Sequence, residues 1–257
     1  MPYTTPLAKS LPSNWALAEV LLSSSYEQWG TSSLQKDVSE LSKCVSYFRA
    51  LKTGKIVIMG HSTGCQDVME YLTGPGASER EKIDGGIIQA SVSDREALAS
   101  FDDKLAEKSE FAQKWVDEGK AEDILPSQFS IGLFGNTPVT ARRFLSLASP
   151  NHDGDDDYFS TDLSDEQLAK SFGALPKGSP LCILYSGEDQ YVAKEVDKKA
   201  LVEKWIGFVK RGDGTVDEVN SGVVNGATHN LTDCNEEVVK DLIGRVARFV
   251  ESVEKGL

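Results

Sequence analysis

The order of apolar and polar positions along the chain predicts alternating strands and helices. Short apolar runs that end at turn residues indicate buried strands, and apolar residues spaced three or four apart indicate helices. Strands are predicted at residues 15–22, 55–59, 83–90 and 180–186, with a last one opening at 216–220. Helices are predicted at residues 33–51, 63–72, 198–209 and 236–253. Strands that are separated by helices form parallel sheets covered on both faces, so the pattern predicts an α/β fold.

The alternation stops between residues 95 and 178, where several helices but no strand are predicted. An insertion of this length between the strands of an α/β sheet is typical of a functional lid. The expected organisation is therefore a first core part at 1–94, a helical lid at 95–178 and a second core part at 179–257.

Residues 55–64 read Lys-Ile-Val-Ile-Met-Gly-His-Ser-Thr-Gly, a strand that runs into a G-x-S-x-G turn and then a helix. Such a turn exposes the serine hydroxyl at the sheet edge, which makes Ser62 the candidate nucleophile. Gly60 and Gly64 have no Cβ, so we expect strand and helix to approach closely. The backbone N–H of Thr63 is the expected oxyanion donor. A Gly-rich turn with a structural serine is the alternative.

A serine nucleophile needs a base, and the chain has three histidines. His229 lies in a loop after the last predicted strand and is the expected base. His61 adjoins Ser62, and a side chain in that position normally points elsewhere, which makes it a pocket candidate. His152 lies in an acidic loop and is expected to be exposed. A structural role for His229 is the alternative.

A carboxylate must orient the base, and Asp189 follows an apolar strand at its carboxyl end, where catalytic groups of α/β sheets lie. The order Ser62, Asp189, His229 is that of α/β-hydrolases. Glu188 is a weaker candidate, and Asp94 is the alternative acid. A turn-capping role is the other explanation for Asp189.

Charge and composition restrict the class of protein. A net charge of −13 and a pI near 4.7 argue against binding to nucleic acid or anionic membranes. No apolar run reaches the roughly 18 residues of a membrane span, and no signal peptide is recognisable. The four cysteines are scattered, as in a protein with free thiols in a reducing compartment. We therefore expect a cytoplasmic protein.

The acidic run at 153–157 is a possible metal loop by composition only. The Ca²⁺-loop pattern requires a glutamate eleven residues after the first aspartate, and position 164 is Ser. A solvated loop is the better interpretation. No metal and no cofactor are therefore expected.

Four segments resemble a fungal family of α/β-hydrolases that includes siderophore esterases acting on fusarinine-type esters. These segments are Leu21–Leu34, Met59–Val68, Gln89–Leu98 and Tyr185–Val192. The resemblance implies an α/β-hydrolase fold in which Ser62, Asp189 and His229 are nucleophile, acid and base. Tyr26 and Trp29, in the first of these segments, are further pocket candidates together with the lid.

One departure from the family concerns the N-terminus. Family members resemble other α/β-hydrolases in carrying strands and a Gly-rich oxyanion loop upstream, whereas no His-Gly or Gly-Gly precedes Ser62 here. The chain therefore looks shortened, with the first strands of the fold absent and Thr63 as the one visible oxyanion donor. Either residues 3–5 (Tyr-Thr-Thr) supply a substitute donor, or the activity is reduced or lost. An open sheet edge could favour self-association.

The expected function is a serine hydrolase that cleaves carboxylic esters of small molecules through an acyl-enzyme, with ester-type siderophores as candidate substrates. One alternative is a catalytically weak or inactive hydrolase-like binding protein. Another is an acyltransferase that uses the same three residues.

Overall fold

A computed structural model describes residues 1–51 and 53–257, apart from the side chains of residues 130 and 131. Its described residues form a four-stranded parallel sheet in the order β1-β2-β3-β4. The strands are β1 (Val57–His61), β2 (Gly85–Gln89), β3 (Leu181–Ser186) and β4 (Gly222–Val224). Because β1 to β3 coincide with the apolar runs of the sequence, the predicted α/β architecture is present.

Helices precede, separate and follow these strands along the chain. They are α1 (Thr4–Ser10), α2 (Leu34–Leu51), α3 (Thr63–Thr73), α4 (Asp94–Phe101), α5 (Leu105–Asp117), α6 (Ser127–Phe134), α7 (Ala141–Ala148), α8 (Asp165–Lys170), α9 (Lys198–Arg211) and α10 (Glu236–Lys255). Side chains of Asp197 and Asn235 accept hydrogen bonds from the first turns of α9 and α10. These caps explain why both helices begin where they do.

The chain divides into two compact units. The first comprises Met1–Val20, Ser42–Ser91 and Ser164–Leu257, and it contains the sheet. The second comprises Leu21–Leu41 and Val92–Leu163, and it contains α4 to α7.

The core of the first unit forms between the sheet and α10. Ile87, Cys182 and Leu184 of the sheet are buried in one cluster with the apolar face of α10. That face presents Leu242, Val246, Phe249 and Val253. The parallel register pairs His61 with Gln89 and Ser186 with Val224, so the carboxyl ends of the strands lie at one edge of the sheet.

Two strand predictions are wrong. Residues 15–22 form no strand: the indole N–H of Trp15 donates to Glu254 of α10, and Leu17 packs against the core cluster that the sheet and α10 share. Packing buries only part of this apolar run, because Val20 is 45% exposed. Within 216–220, only Val216 makes a bridge to the sheet, and the strand itself begins later at Gly222.

The second unit has its own core, in which Phe144 and Leu147 of α7 pack with Leu105 and Ala112 of α5. Helix α6 is an element that the apolar spacing does not predict. Helix α8, inside the predicted lid, belongs to the first unit, where Phe172 just after it stacks on Trp205 with ring centroids 5.1 Å apart. The role of residues 95–178 as a lid stays a prediction.

Candidate active site

Ser62 occupies a strained turn between β1 and α3. Its φ and ψ are 54° and −125°, a conformation that residues other than glycine rarely adopt and that costs on the order of 1–3 kcal/mol. The turn is held by two backbone hydrogen bonds: Ser62 N donates to Gln89 O at 3.1 Å, and Cys65 N donates to Ser62 O at 2.8 Å. Thr63 is the first residue of α3, so its N–H lies at the positive end of the helix.

The two glycines of the turn are not equivalent. A Cβ added to Gly60 would lie 1.9 Å from the carbonyl oxygen of Gly64, which no side chain can tolerate. A Cβ added to Gly64 would meet no atom within 4 Å. The expected close approach of strand and helix therefore requires glycine at position 60 but not at position 64.

His229 lies in the loop after β4 and contacts Ser62. Its Nε2 atom is 2.8 Å from Ser62 Oγ, and its Nδ1 atom is 2.8 Å from Asp189 Oδ2. Because an ionised carboxylate only accepts hydrogen bonds, Nδ1 carries the proton and Nε2 accepts from the Ser62 hydroxyl. With His229 only 7% exposed, this arrangement is suited to removing a proton from Ser62.

The loop that carries Asp189 is joined to the loop of His229 at several points. Asp189 Oδ1 accepts from the backbone N–H of Tyr191, so both carboxylate oxygens have donors, and its side chain is 0% exposed. The Gln190 side chain accepts from His229 N at 3.2 Å, and the Tyr191 ring packs against the imidazole with centroids 4.8 Å apart. Glu188, the weaker candidate, is exposed, although its N–H contributes by donating to Ala227 O.

Gln89 is a site residue that sequence reasoning did not single out. Its side-chain oxygen accepts from Tyr3 Oη at 2.9 Å and lies 2.6 Å from His61 Nδ1. Its side-chain nitrogen donates to Ser186 Oγ at 3.2 Å and to His229 O at 3.4 Å. The available signal was a polar residue at the end of an otherwise apolar strand.

His61 therefore lies in the site, with its ring centroid 4.9 Å from that of His229. Burial lowers its pKa to about 4, and the nearby His229 and N-terminal amino group act in the same direction. The hydrogen bond to Gln89 and the charge of Asp189 oppose this shift without reversing it. His61 is consequently a neutral imidazole at physiological pH.

The remaining candidate site residues lie in the second unit. Asp94 is in the first turn of α4, whose N-cap is Ser93. Tyr26 is 84% exposed, and Trp29 packs edge-to-face on Phe134 with centroids 5.1 Å apart. His152 lies beside the carboxylates of two aspartates of the same unit, Asp157 and Asp162. The roles of Asp94, Tyr26 and Trp29 stay predictions.

Among residues 1–51 and 53–257, no three His, Cys, Asp or Glu side chains are grouped in a way that would hold a metal ion. Within the same residues, no helix has both the length and the apolar character needed to cross a membrane.

The chain is similar to known proteins over most of its length. Residues 1–251 match the family described as "Protein of unknown function (DUF1749)". The protein named "Fusarinine C esterase sidJ", from Aspergillus fumigatus, is 34% identical over 302 aligned positions, which span 98% of this chain and 85% of that protein.

Solved structures give the same result. "Siderophore hydrolase EstB from Aspergillus fumigatus" is 36% identical, with a TM-score of 0.84 over 98% of this chain and 86% of that one. An "Alpha/Beta hydrolase fold protein of unknown function" is 18% identical, with a TM-score of 0.62 over 99% and 83% of the two chains, and is informative for the fold alone. The α/β-hydrolase fold and the resemblance to fungal siderophore esterases are confirmed.

Proposed function

Since the chain belongs to the DUF1749 family and has esterases among its relatives, we propose that it is a serine hydrolase that cleaves carboxylic esters through an acyl-enzyme. The observation that carries this proposal is the 2.8 Å contact between Ser62 Oγ and His229 Nε2, because it gives the weakly nucleophilic hydroxyl a base within hydrogen-bond distance.

The proposed reaction has two halves. Ser62 Oγ attacks the ester carbonyl while its proton passes to His229 Nε2, and Asp189 stabilises the resulting imidazolium. His229 then gives the proton to the leaving alcohol, and an acyl-Ser62 ester remains. A water molecule that loses its proton to His229 attacks this ester, and the acid is released as Ser62 regains its proton.

The developing oxyanion is assigned to the N-terminus of α3. The backbone N–H of Thr63, its first residue, has no carbonyl partner within the helix, and the helix dipole adds positive potential there. Donors of this kind are typically worth about 10²–10³ in rate. Thr63 is therefore proposed as an oxyanion donor.

We propose ester-type siderophores as the substrate class. This rests on two relatives that are 34% and 36% identical over 98% of the chain and are named for fusarinine C and for siderophores. A screen that includes iron-free and ferric fusarinine-type esters beside simple alkanoate esters tests the class, and hydrolysis of the alkanoate esters alone would contradict it.

The mechanism is tested by Ser62→Ala, with Ser179→Ala as a matched control. Ser179 is also buried, but it lies ahead of β3, where its hydroxyl donates to Ile83 O at 2.7 Å. We expect Ser62→Ala to abolish both hydrolysis of a p-nitrophenyl ester and labelling by a fluorophosphonate probe, and Ser179→Ala to retain both. Wild-type rates in Ser62→Ala would refute the assignment. A wild-type protein that neither hydrolyses nor reacts would instead support the ligand-binding alternative.

A further inference from the structure

Gln89 ends the strand between the nucleophile and the acid. Its main-chain carbonyl accepts from Ser62 N at 3.1 Å, and the Cys65 thiol donates to the same oxygen at 3.1 Å. Its side chain, 0% exposed, donates to the carbonyl of His229. One residue thus contacts both the turn of the proposed nucleophile and the loop of the proposed base.

The surrounding acceptors determine which way the Gln89 amide faces. The carbonyl of His229 can only accept, so the atom that faces it must be the NH₂ group. The amide oxygen then faces Tyr3 Oη and His61 Nδ1. Burial raises the pKa of Tyr3, so its hydroxyl stays protonated and donates.

The same orientation determines the tautomer of His61. Because the amide oxygen only accepts, His61 Nδ1 must carry the proton, and Nε2 of the neutral ring is left as an acceptor. A neutral His61 is favourable beside His229, whose ring centroid is 4.9 Å away, because it adds no second positive charge when His229 takes the proton of Ser62.

The backbone at this point is strained. Ala90, directly after Gln89, has a φ of 54° and is 1% exposed, and its N–H donates to Leu184 O. A non-glycine residue is held in such a conformation only when its surroundings determine it closely. The Gln89 side chain is therefore directed by a rigid strand end.

We propose that Gln89 is a positioning residue: it holds the loops of Ser62 and His229 at their contact distance and keeps His61 as the Nδ1–H tautomer. This inference rests on the proposed serine hydrolase mechanism. To that mechanism the inference adds the buried amide of Gln89, which touches none of the reacting atoms. The Tyr3 hydroxyl donates to this amide and helps to orient it.

The experiment uses Gln89→Met, which keeps the length of the side chain but removes its hydrogen bonds, and Gln89→Glu, which keeps the acceptor and removes the donor. The control is Asn220→Leu, since Asn220 is a buried amide bonded to Asp217 and Arg248 ahead of β4, at the opposite end of that strand from the loop of His229. Asn220→Leu therefore removes a comparable set of buried hydrogen bonds away from Ser62 and His229.

We expect both Gln89 variants to lose about 10- to 100-fold in kcat and in fluorophosphonate labelling rate, with KM changed much less, because small misplacements of reacting groups cost rates of this order. Asn220→Leu should lower the unfolding temperature while kcat is kept. Equal losses of kcat in all three folded variants, or wild-type kcat in both Gln89 variants, would overturn the proposal.

A second readout does not depend on activity. With three histidines in the chain, the imidazole ¹⁵N shifts of His61 can be assigned by comparison with His61→Gln. We expect the Nδ1–H tautomer in the wild type and a changed tautomer in Gln89→Met. In Gln89→Glu, the new carboxylate should raise the titration midpoint of His61 by about one pH unit or more.

The charged groups that act on His61 in the wild type are His229, Asp189 and the N-terminal amino group, and all three are kept in these variants. An Nε2–H tautomer of His61 in the wild type would refute the inference even if the enzyme is active. Absence of Ser62 labelling in the wild type would instead refute the proposed function.

Discussion

The Nδ1 atom of His229 lies 2.8 Å from Oδ2 of Asp189, although 40 positions separate them in the chain. Both residues are buried, at 7% and 4% exposure. The contact holds the imidazole in the tautomer whose Nε2 atom can accept the proton of Ser62, and the second oxygen of Asp189 is held by Tyr191 N.

Asp189→Asn is expected to lower kcat for a simple ester by about 10⁴-fold, because an amide that donates to Nδ1 selects the wrong tautomer of His229. Asp94→Asn is the matched variant, since Asp94 is the alternative acid from the sequence and lies in the first turn of α4. We expect it to keep kcat within a few fold of wild type. Steady-state kinetics on both variants, with circular dichroism to verify folding, decides between the two acids; a larger loss in Asp94→Asn would contradict the assignment of Asp189.

Gly60→Ala and Gly64→Ala are expected to have opposite outcomes. At position 60 the new methyl would lie 1.9 Å from Gly64 O, so we expect a loss of more than about 2 kcal/mol in the free energy of unfolding, as for overpacked cores. At position 64 the methyl meets nothing within 4 Å and replaces a glycine inside α3, which should stabilise the fold by up to about 1 kcal/mol. Urea denaturation measures both, and equal effects would show that the turn is not packed as described.

A buried ion pair lies in the second unit. Arg143 and Asp156 are 3% and 1% exposed in their side chains, and Arg143 Nε also donates to Trp29 O at 3.0 Å. The expectation of a solvated loop at 153–157 is therefore wrong for Asp156, because this carboxylate is buried against Arg143. We expect Arg143→Met to reduce the free energy of unfolding by about 3–5 kcal/mol, because it leaves the Asp156 carboxylate buried without its partner.

Two further variants test whether the unpaired Asp156 carboxylate causes the loss of stability in Arg143→Met. Adding Asp156→Leu to Arg143→Met should recover more than half of the loss, since the buried carboxylate that had lost its ion-pair partner is then removed as well. Arg142→Met removes the neighbouring exposed pair with Glu122 and should cost less than about 1 kcal/mol. Failure of the double variant to recover stability in urea denaturation would mean that packing, and not the unpaired charge, causes the loss.

Asp84 links the end of α2 to the start of the sheet. Burial works against its ionised form, but the N–H of Ile56 and the side chains of Arg49 and Lys55 outweigh burial and hold the pKa of Asp84 below its usual value. A lowered pKa in the folded state means that the carboxylate stabilises the fold above the unfolded pKa of about 4 and that this contribution is lost as the pH falls through the folded-state value.

Asp84→Asn is therefore expected to cost about 1–3 kcal/mol at pH 7 and progressively less below about pH 4. Asp213→Asn, at an exposed position of the same unit, should have little effect at any pH. Urea denaturation between pH 7 and pH 3 measures both. A cost for Asp84→Asn that is the same at both ends of this range would rule out an electrostatic origin.

The local patterns of the sequence were enough for the elements that surround the site. A strand that ends in Gly-His-Ser-Thr-Gly and continues into an amphipathic helix specifies its own turn, because strand and helix periodicities are local properties. The alternation of strands and helices also predicts that Ser62, Asp189 and His229 lie at one edge of the sheet, since parallel strands present their carboxyl ends there. The same patterns failed at residues 15–22, where apolar residues are partly covered by α10 instead of joining the sheet.

Only the tertiary structure decided how these parts meet. Apolar spacing cannot show that His229 Nδ1 pairs with Asp189, because hydrogen-bond partners depend on the path of two loops. It also cannot distinguish Gly60 from Gly64, since the difference is a 1.9 Å approach to one carbonyl. Gln89 is the clearest case: it opens one of the segments that resemble the family, but nothing in that segment predicts its partners. Its four side-chain hydrogen bonds exist because segments far apart in sequence converge at the end of β2.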